Sequence, residues 1–367
     1  MNFDFSEDQK FIQSQARSFL SKECSADLVR HTLENGKGYD PDLWNKVKEM
    51  GWQATAISEE HSGLGLGFLE LCLIAMELGR TAAPTPHIAS VYLCTEAIKL
   101  GASAGQQAEW LPKLATGEWT GCVAMQETVG QLRFDQQQSR VAKGLLTGTK
   151  LPVLQANAAD VAIVAAQDEQ GEGLFLVELD SDTVKCDALD SVDPGQGLFT
   201  LSFNNTPATR LEACDNLVEL TAQLYDRAAV LIAFEQVGGC DASIEMAKEY
   251  TAQRYAFGRQ IASFQAIKHK VADMFVAKEL ATANAYYGAW ALSTDADELP
   301  LAAANARVSA TEAYWLCSKE NIQAHGGMGF TYELNCHLYY RRHLALAQLL
   351  GSNKVWKENL ASRILAA

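Results

Sequence analysis

Apolar positions recur at helical spacing through the first hundred residues. Between 6 and 30, Phe11, Ile12, Ala16, Phe19 and Leu20 share one stripe behind Ser6, so the pattern predicts one capped amphipathic helix. Asp40-Pro41 opens a second helix carrying Leu43, Val47 and Met50, and Gly51 stops it. The stretch 58–67 reads as a glycine-containing loop, and apolar helices are predicted over 68–79, 91–100 and 103–111, the last ended by Pro112.

The period changes near Gly117. From Cys122 to about Leu211 the chain carries short β-prone runs, CVAM, VAIVAA, LFLVEL and LFTLSF, separated by Asp, Gly, Asn and Pro. They predict a small antiparallel β domain. Helix returns at about Asp215, with long runs over 217–249, 264–293, 299–324 and 333–350 and a short closing helix. Helices, then strands, then helices predict an α+β fold in three segregated parts: 1–118, 119–214 and 215–367.

Composition narrows the function classes. The 367 residues are 48% hydrophobic, enough for a large core, and carry 45 acidic against 30 basic side chains, a net charge of −15. An acidic surface argues against duplex nucleic acid or an anionic membrane as partner, although an anionic cofactor needs a local basic pocket. Nine scattered cysteines with no CxxC pair predict free thiols in a reducing cytosol and no metal site. The polar start lacks signal-peptide or transit character, and no apolar run is long enough to span a bilayer.

Two segments point to a ligand. Arg254-Tyr255-Ala256-Phe257-Gly258-Arg259 joins two long helices through a Gly-containing turn flanked by arginines, whose planar forks suit phosphate oxygens. Gln323-Ala324-His325-Gly326-Gly327-Met328-Gly329-Phe330 ends a helix in a Gly-Gly turn where bare N–H groups can approach a ligand. Each alone also reads as a capped helical hairpin or a glycine stop.

In this order and spacing, with Ser58-Glu59-Glu60-His61-Ser62-Gly63-Leu64-Gly65 and Met76-Glu77-Leu78-Gly79-Arg80 upstream, the chain resembles the acyl-CoA dehydrogenase family over its whole length. The resemblance implies a helical N-terminal domain, a middle β domain and a C-terminal four-helix bundle. It implies FAD as cofactor, an acyl-CoA thioester as substrate and an electron-transfer flavoprotein as acceptor. In that family the RxxFG…FQ and QxxGGxG segments hold the ADP half of the neighbouring subunit's FAD. Carried over, Arg254 pairs with the pyrophosphate, Phe257 packs on the cofactor, Gln265 and Gln323 hydrogen-bond it, and Gly326 and Gly327 allow close approach.

The flavin-ring side departs from the pattern. Where the family has a segment like MTEPxAGSD, this chain has Met125-Gln126-Glu127-Thr128-Val129-Gly130-Gln131-Leu132-Arg133. Where GxKxW(I/V)(T/S) supplies an aromatic face and a hydroxyl, it has Gly148-Thr149-Lys150-Leu151-Pro152-Val153-Leu154. Leucine in place of a donor leaves polar ring atoms unsatisfied, at about 1–3 kcal/mol per group. The usual catalytic Glu position holds Leu350, and leucine cannot remove an α-proton. The alternative family position, on the first long C-terminal helix, falls near Ala228, where Asp226 is the weak remaining candidate; Glu235, two turns on, reads as a paired bundle carboxylate. His325, His337 and His343 read as packing residues, Trp52 and Trp110 as core or interface, and Arg341 and Arg342 as ion-pairing or phosphate-facing.

The expected whole is a base-deficient, non-catalytic subunit that pairs with a catalytic paralogue as α2β2. The stretch His337-Leu338-Tyr339-Tyr340-Arg341-Arg342 resembles the bacterial steroid side-chain branch, with a bulky acyl group. Two other readings stay open: a homomeric dehydrogenase using Asp226, and a flavin-free acyl-CoA-binding or scaffold protein.

Overall fold

The computed structural model describes residues 5–131 and 133–366; Leu132, part of the altered ring segment, lies outside the described residues. The elements are α1 (Glu7–Glu23), α2 (Ala26–Asn35), α3 (Pro41–Glu49), α4 (Phe68–Arg80), α5 (Glu96–Gly101) and α6 (Ala104–Ala115). Strands β1 (Gly121–Ala124), β2 (Arg140–Ala142), β3 (Leu145–Leu154), β4 (Val161–Asp168), β5 (Gly171–Glu178), β6 (Val184–Leu189), β7 (Leu198–Pro207) and β8 (Thr209–Arg210) follow. Then come α7 (Leu217–Gln253), the two-residue strands β9 (Tyr255–Ala256) and β10 (Arg259–Gln260), α8 (Gln265–Ser293), α9 (Leu299–His325), α10 (Cys336–Gln348) and α11 (Asn353–Ala366). The order is that of the predicted fold: N-terminal helices, a central sheet, C-terminal helices. By packing, the chain forms two compact units, one of Met1–Arg30, Phe68–Ala83 and Ala229–Ala367, the other of His31–Gly67 and Pro84–Ala228.

The first unit is helical. Ser6 and Gln9 exchange hydrogen bonds at the start of α1, a capping box that satisfies two orphan donors. The predicted single helix over 6–30 is two helices, because the chain leaves α-helical geometry at Cys24 and restarts at Ala26. The guanidinium of Arg17 forks onto the buried Glu77 carboxylate of α4, with both N–O distances 2.9 Å. Helices α4 and α7 meet through glycines: a Cβ on Gly238 lies 1.9 Å from the Met76 carbonyl oxygen, and one on Gly79 lies 1.9 Å from that of Glu235. Tyr314 of α9 fills the space above Gly239. Gly238→Ala is therefore expected to force the helices apart and cost about 1–3 kcal/mol, read as a lowered thermal midpoint. An unchanged midpoint would show that the crossing tolerates a wider spacing.

The second unit holds an eight-stranded sheet in the order β6-β7-β3-β2-β4-β5-β8, with β1 beside β4. The sheet is mixed rather than purely antiparallel, since β1 and β2 both pair parallel to β4. The central run Val161–Ala166 is buried at every position, which is why it reads as continuous rather than alternating hydrophobicity. Two helix boundaries differ from the sequence pattern. Helix α6 runs through Pro112 to Ala115, its packing of Trp110, Leu111 and Leu114 outweighing the missing N–H. The run predicted as helix from Val91 is a π-helical stretch, Ile88–Thr95, leading into α5.

Candidate functional site

The residues expected to grip the ADP half of FAD come from three helix ends of the helical unit. Arg254 follows the last turn of α7, Gln265 begins α8, and Gln323 lies in the last turn of α9. The β9–β10 ribbon closes the α7–α8 turn through Ala256 and Arg259, and Ile261 N–H donates to the Arg254 carbonyl at 2.9 Å. Arg259 lies over the Phe264 ring at 3.9 Å. Phe257 stands out from this turn in left-handed geometry (φ 52°) and is 95% exposed. Arg254, Gln265, Gln323, Gly326 and Gly327 are also exposed, and Arg254 makes no ion pair among the described residues. Gly326 adopts φ 60°, ψ −139°, a region only glycine occupies freely, and neither it nor Gly327 has a heavy atom within 4 Å of an added Cβ. The structure brings all six residues to the exposed ends of neighbouring helices.

The ring-side positions lie in the sheet unit. Leu154 ends β3, 7% exposed, and offers no donor; Pro152 interrupts the same strand. Gln131 accepts from Glu127 N–H at 2.7 Å and donates to the Arg133 carbonyl at 2.8 Å, closing the loop on itself. The Glu127 carboxylate accepts from Gln138 N–H, Ser139 N–H and the fully buried Lys150 Nζ at 2.7, 2.6 and 2.9 Å. Partial burial works against the Glu127 charge, but Ser139, Gln138 and Lys150 together hold its pKa down at about 2. Burial pushes the Lys150 ammonium down to about 8 against the pull of Glu127. Phe134 packs edge-on against Tyr225 of α7, 6.0 Å between ring centres.

Leu350 sits two residues past α10, which stops at Gln348 rather than running to 350. It is held at φ 61°, followed by Gly351 at φ 105°. Beneath that turn Arg307 is wholly buried. Its guanidinium donates to the Leu346 carbonyl, to the Leu349 carbonyl at 3.1 Å, to Gln236 Oε1 at 2.6 Å and to Thr311 Oγ1 at 3.3 Å. Burial without a carboxylate partner pushes its pKa down to about 9. The turn at Leu350, where the sequence pattern places the base, is thus clamped.

Sequence models of the acyl-CoA dehydrogenase N-terminal domain and of the acyl-CoA dehydrogenase C-terminal domain match residues 6–118 and 218–365, most of the chain between them. The chain belongs to the acyl-CoA dehydrogenase family. Acyl-CoA dehydrogenase IpdE2 of Mycobacterium tuberculosis is 28% identical over 361 residues, covering 98% of each protein. Two similar solved structures are a variant of the Tcur3481-Tcur3483 steroid ACAD (TM-score 0.87, 24% identity, 98% of each chain) and the ChsE4-ChsE5 complex of Mycobacterium tuberculosis (TM-score 0.89, 23% identity, 100% of each chain). At those identities they establish the acyl-CoA dehydrogenase fold.

The family typically binds FAD. The ADP side fits that cofactor: an uncommitted guanidinium, two exposed amides and a glycine turn with open space around it. The ring side does not, since Leu154 and Pro152 supply neither hydroxyl nor aromatic face. Asp226 is buried on α7 in the sheet unit, and Glu235 is buried on α7 in the helical unit. Arg342 is buried rather than facing a phosphate at the surface, and it donates to the Ala82 and Ala83 carbonyls at 3.0 and 3.2 Å. His325, His337 and His343 stack on or against aromatic rings, and burial lowers the pKa of each, His343 to about 4. Trp52 and Trp110 are core residues. The Arg307 clamp was not visible in the sequence, where an arginine in a helix reads as surface. The Glu127–Lys150 pair had a signal: both residues survive in segments that have lost their hydroxyl and aromatic positions.

Proposed function

We propose that this chain is the base-deficient subunit of a heteromeric, cytosolic acyl-CoA dehydrogenase and supplies the ADP-side contacts to the FAD of a catalytic paralogue. One observation carries this reading. The residues able to serve a neighbour's cofactor are intact and exposed, with Phe257 95% exposed, while the positions that serve the chain's own ring and base hold Pro152, Leu154 and a clamped Leu350. The Phe257 ring, edge-on to Phe264 at 6.2 Å and otherwise almost bare in water, supports a partner that covers it. FAD, when bound, supplies acceptance of a hydride from the acyl β-carbon, with an electron-transfer flavoprotein as onward acceptor. Arg254 holds the pyrophosphate, Gln265 and Gln323 hydrogen-bond the cofactor, and the Gly326–Gly327 backbone lets it approach. The proton-removing carboxylate comes from the paralogue. The similarity to IpdE2, and to structures described as a steroid ACAD and as a two-protein ChsE4-ChsE5 complex, supports an α2β2 assembly and a bulky steroid-type acyl group.

The chain purified alone is expected to carry little FAD and to turn over no straight-chain acyl-CoA. Leu350→Glu is expected to leave it inactive, because the ring contacts stay absent. Near-stoichiometric flavin and acceptor reduction by the lone chain would replace this reading with a homomeric enzyme using a relocated base such as Asp226. A colourless complex with every acyl-CoA dehydrogenase paralogue would favour a flavin-free acyl-CoA-binding or scaffold protein.

A further inference from the structure

The grip residues sit on three separate helix ends, and a cofactor held by all three needs those ends at a fixed spacing. Two braces run between them, and the first is joined to the grip through the Tyr250 carbonyl, which accepts from Arg254 N–H at 2.9 Å. Tyr250, one turn before Arg254, stacks on His325, ring centres 4.2 Å apart and planes 29° from parallel. His325 lies between Gln323 and the Gly326 turn, 6% exposed, and its Nδ1 donates to the Asn321 carbonyl at 2.8 Å. The second brace joins Lys270, five residues after Gln265, to the Glu320 carboxylate, three residues before Gln323; Lys319 also reaches Glu320, at 3.2 Å. One brace ties α7 to α9 and the other ties α8 to α9.

We propose that the Tyr250–His325 stack and the Lys270–Glu320 ion pair position Arg254 and Gln265 against Gln323 and the Gly326 turn, so that the diphosphate of FAD meets a preformed grip. The inference rests on the in-trans reading above and deepens it by naming the positioning residues. Burial disfavours a charge on His325 and keeps its pKa below the ordinary value, so the ring stacks as a neutral imidazole whose Nδ1–H is used inside its own helix. Burial also opposes the Glu320 charge, but Lys270 and Lys319 outweigh it and lower its pKa, so the brace is ionised at neutral pH. Without the braces, binding must also order the helix ends, a cost that appears as weaker affinity.

The test uses the complex with a co-expressed catalytic paralogue, stripped of FAD and refilled by titration. His325→Ala and Glu320→Gln are each expected to weaken FAD binding roughly three- to tenfold while the complex stays assembled by size exclusion. His325→Phe keeps the stack without the Nδ1 hydrogen bond and should bind within about twofold of wild type. A role confined to stability predicts the opposite split: lowered melting of the FAD-free complex with unchanged FAD affinity for both His325→Ala and Glu320→Gln, which overturns the proposal. Arg254→Ala in parallel separates the two levels. If it weakens FAD binding and the brace variants do not, only the braces fall; if it too leaves FAD unchanged, the grip and its braces fall together.

Discussion

Arg254→Ala should strip FAD from a site whose ring-binding half lies in another polypeptide. The guanidinium is exposed and makes no ion pair among the described residues, so its removal leaves no buried charge behind. What is lost is a charge-assisted contact to pyrophosphate, worth roughly 1.5–3 kcal/mol, which corresponds to a ten- to hundredfold drop in affinity. Arg254→Lys should recover only part of it, because an ammonium cannot present the bidentate fork. If Arg254 merely capped the helical hairpin, its loss would lower the melting temperature and leave flavin content alone. Co-purifying the variant with wild-type partner and measuring FAD and melting together separates these outcomes.

Lys150→Met should be more damaging to the fold, by about 3–5 kcal/mol in urea denaturation, because it leaves the Glu127 carboxylate without its buried cation. The wild-type pair predicts an acid limit as well. The folded Glu127 carboxyl titrates at about 2, below its unfolded value of about 4.3. Its contribution is therefore complete above that unfolded value and is lost as pH falls towards 2. Glu127→Gln should be less stable than wild type at neutral pH and should flatten that part of the pH–stability curve. Equal pH dependence in the two proteins would mean that Glu127 is not the group responsible. The pair also ties Glu127, with Gln138 and Ser139, to Lys150 of β3.

The fold was legible in the sequence because the long helices and β-prone runs differ in period, and the two segments proposed to grip the cofactor could be located because each is local. Strand β3 was not read, since Gly148 and Pro152 break its pattern; pairing with β7, with register shifts at Leu146/Thr147 and Lys150/Val153, overrides local preference. Pro112 misplaced a helix end for the same reason: tertiary packing outweighed a local rule. Arg307 and Arg342 were missed as structural cations because each donates to backbone carbonyls far away in sequence, contacts that no spacing rule encodes. The Arg307 clamp on the turn at Leu350 was not legible.

The most direct measurement of the central claim is flavin stoichiometry. Each site of the proposed complex needs one ring-binding half from the paralogue and one ADP-side grip from this chain. The assembled complex should therefore hold one FAD per pair of unlike subunits, counted from its visible absorbance against a native mass. Two FAD per pair would show that this chain builds a complete site of its own, and the account would be contradicted.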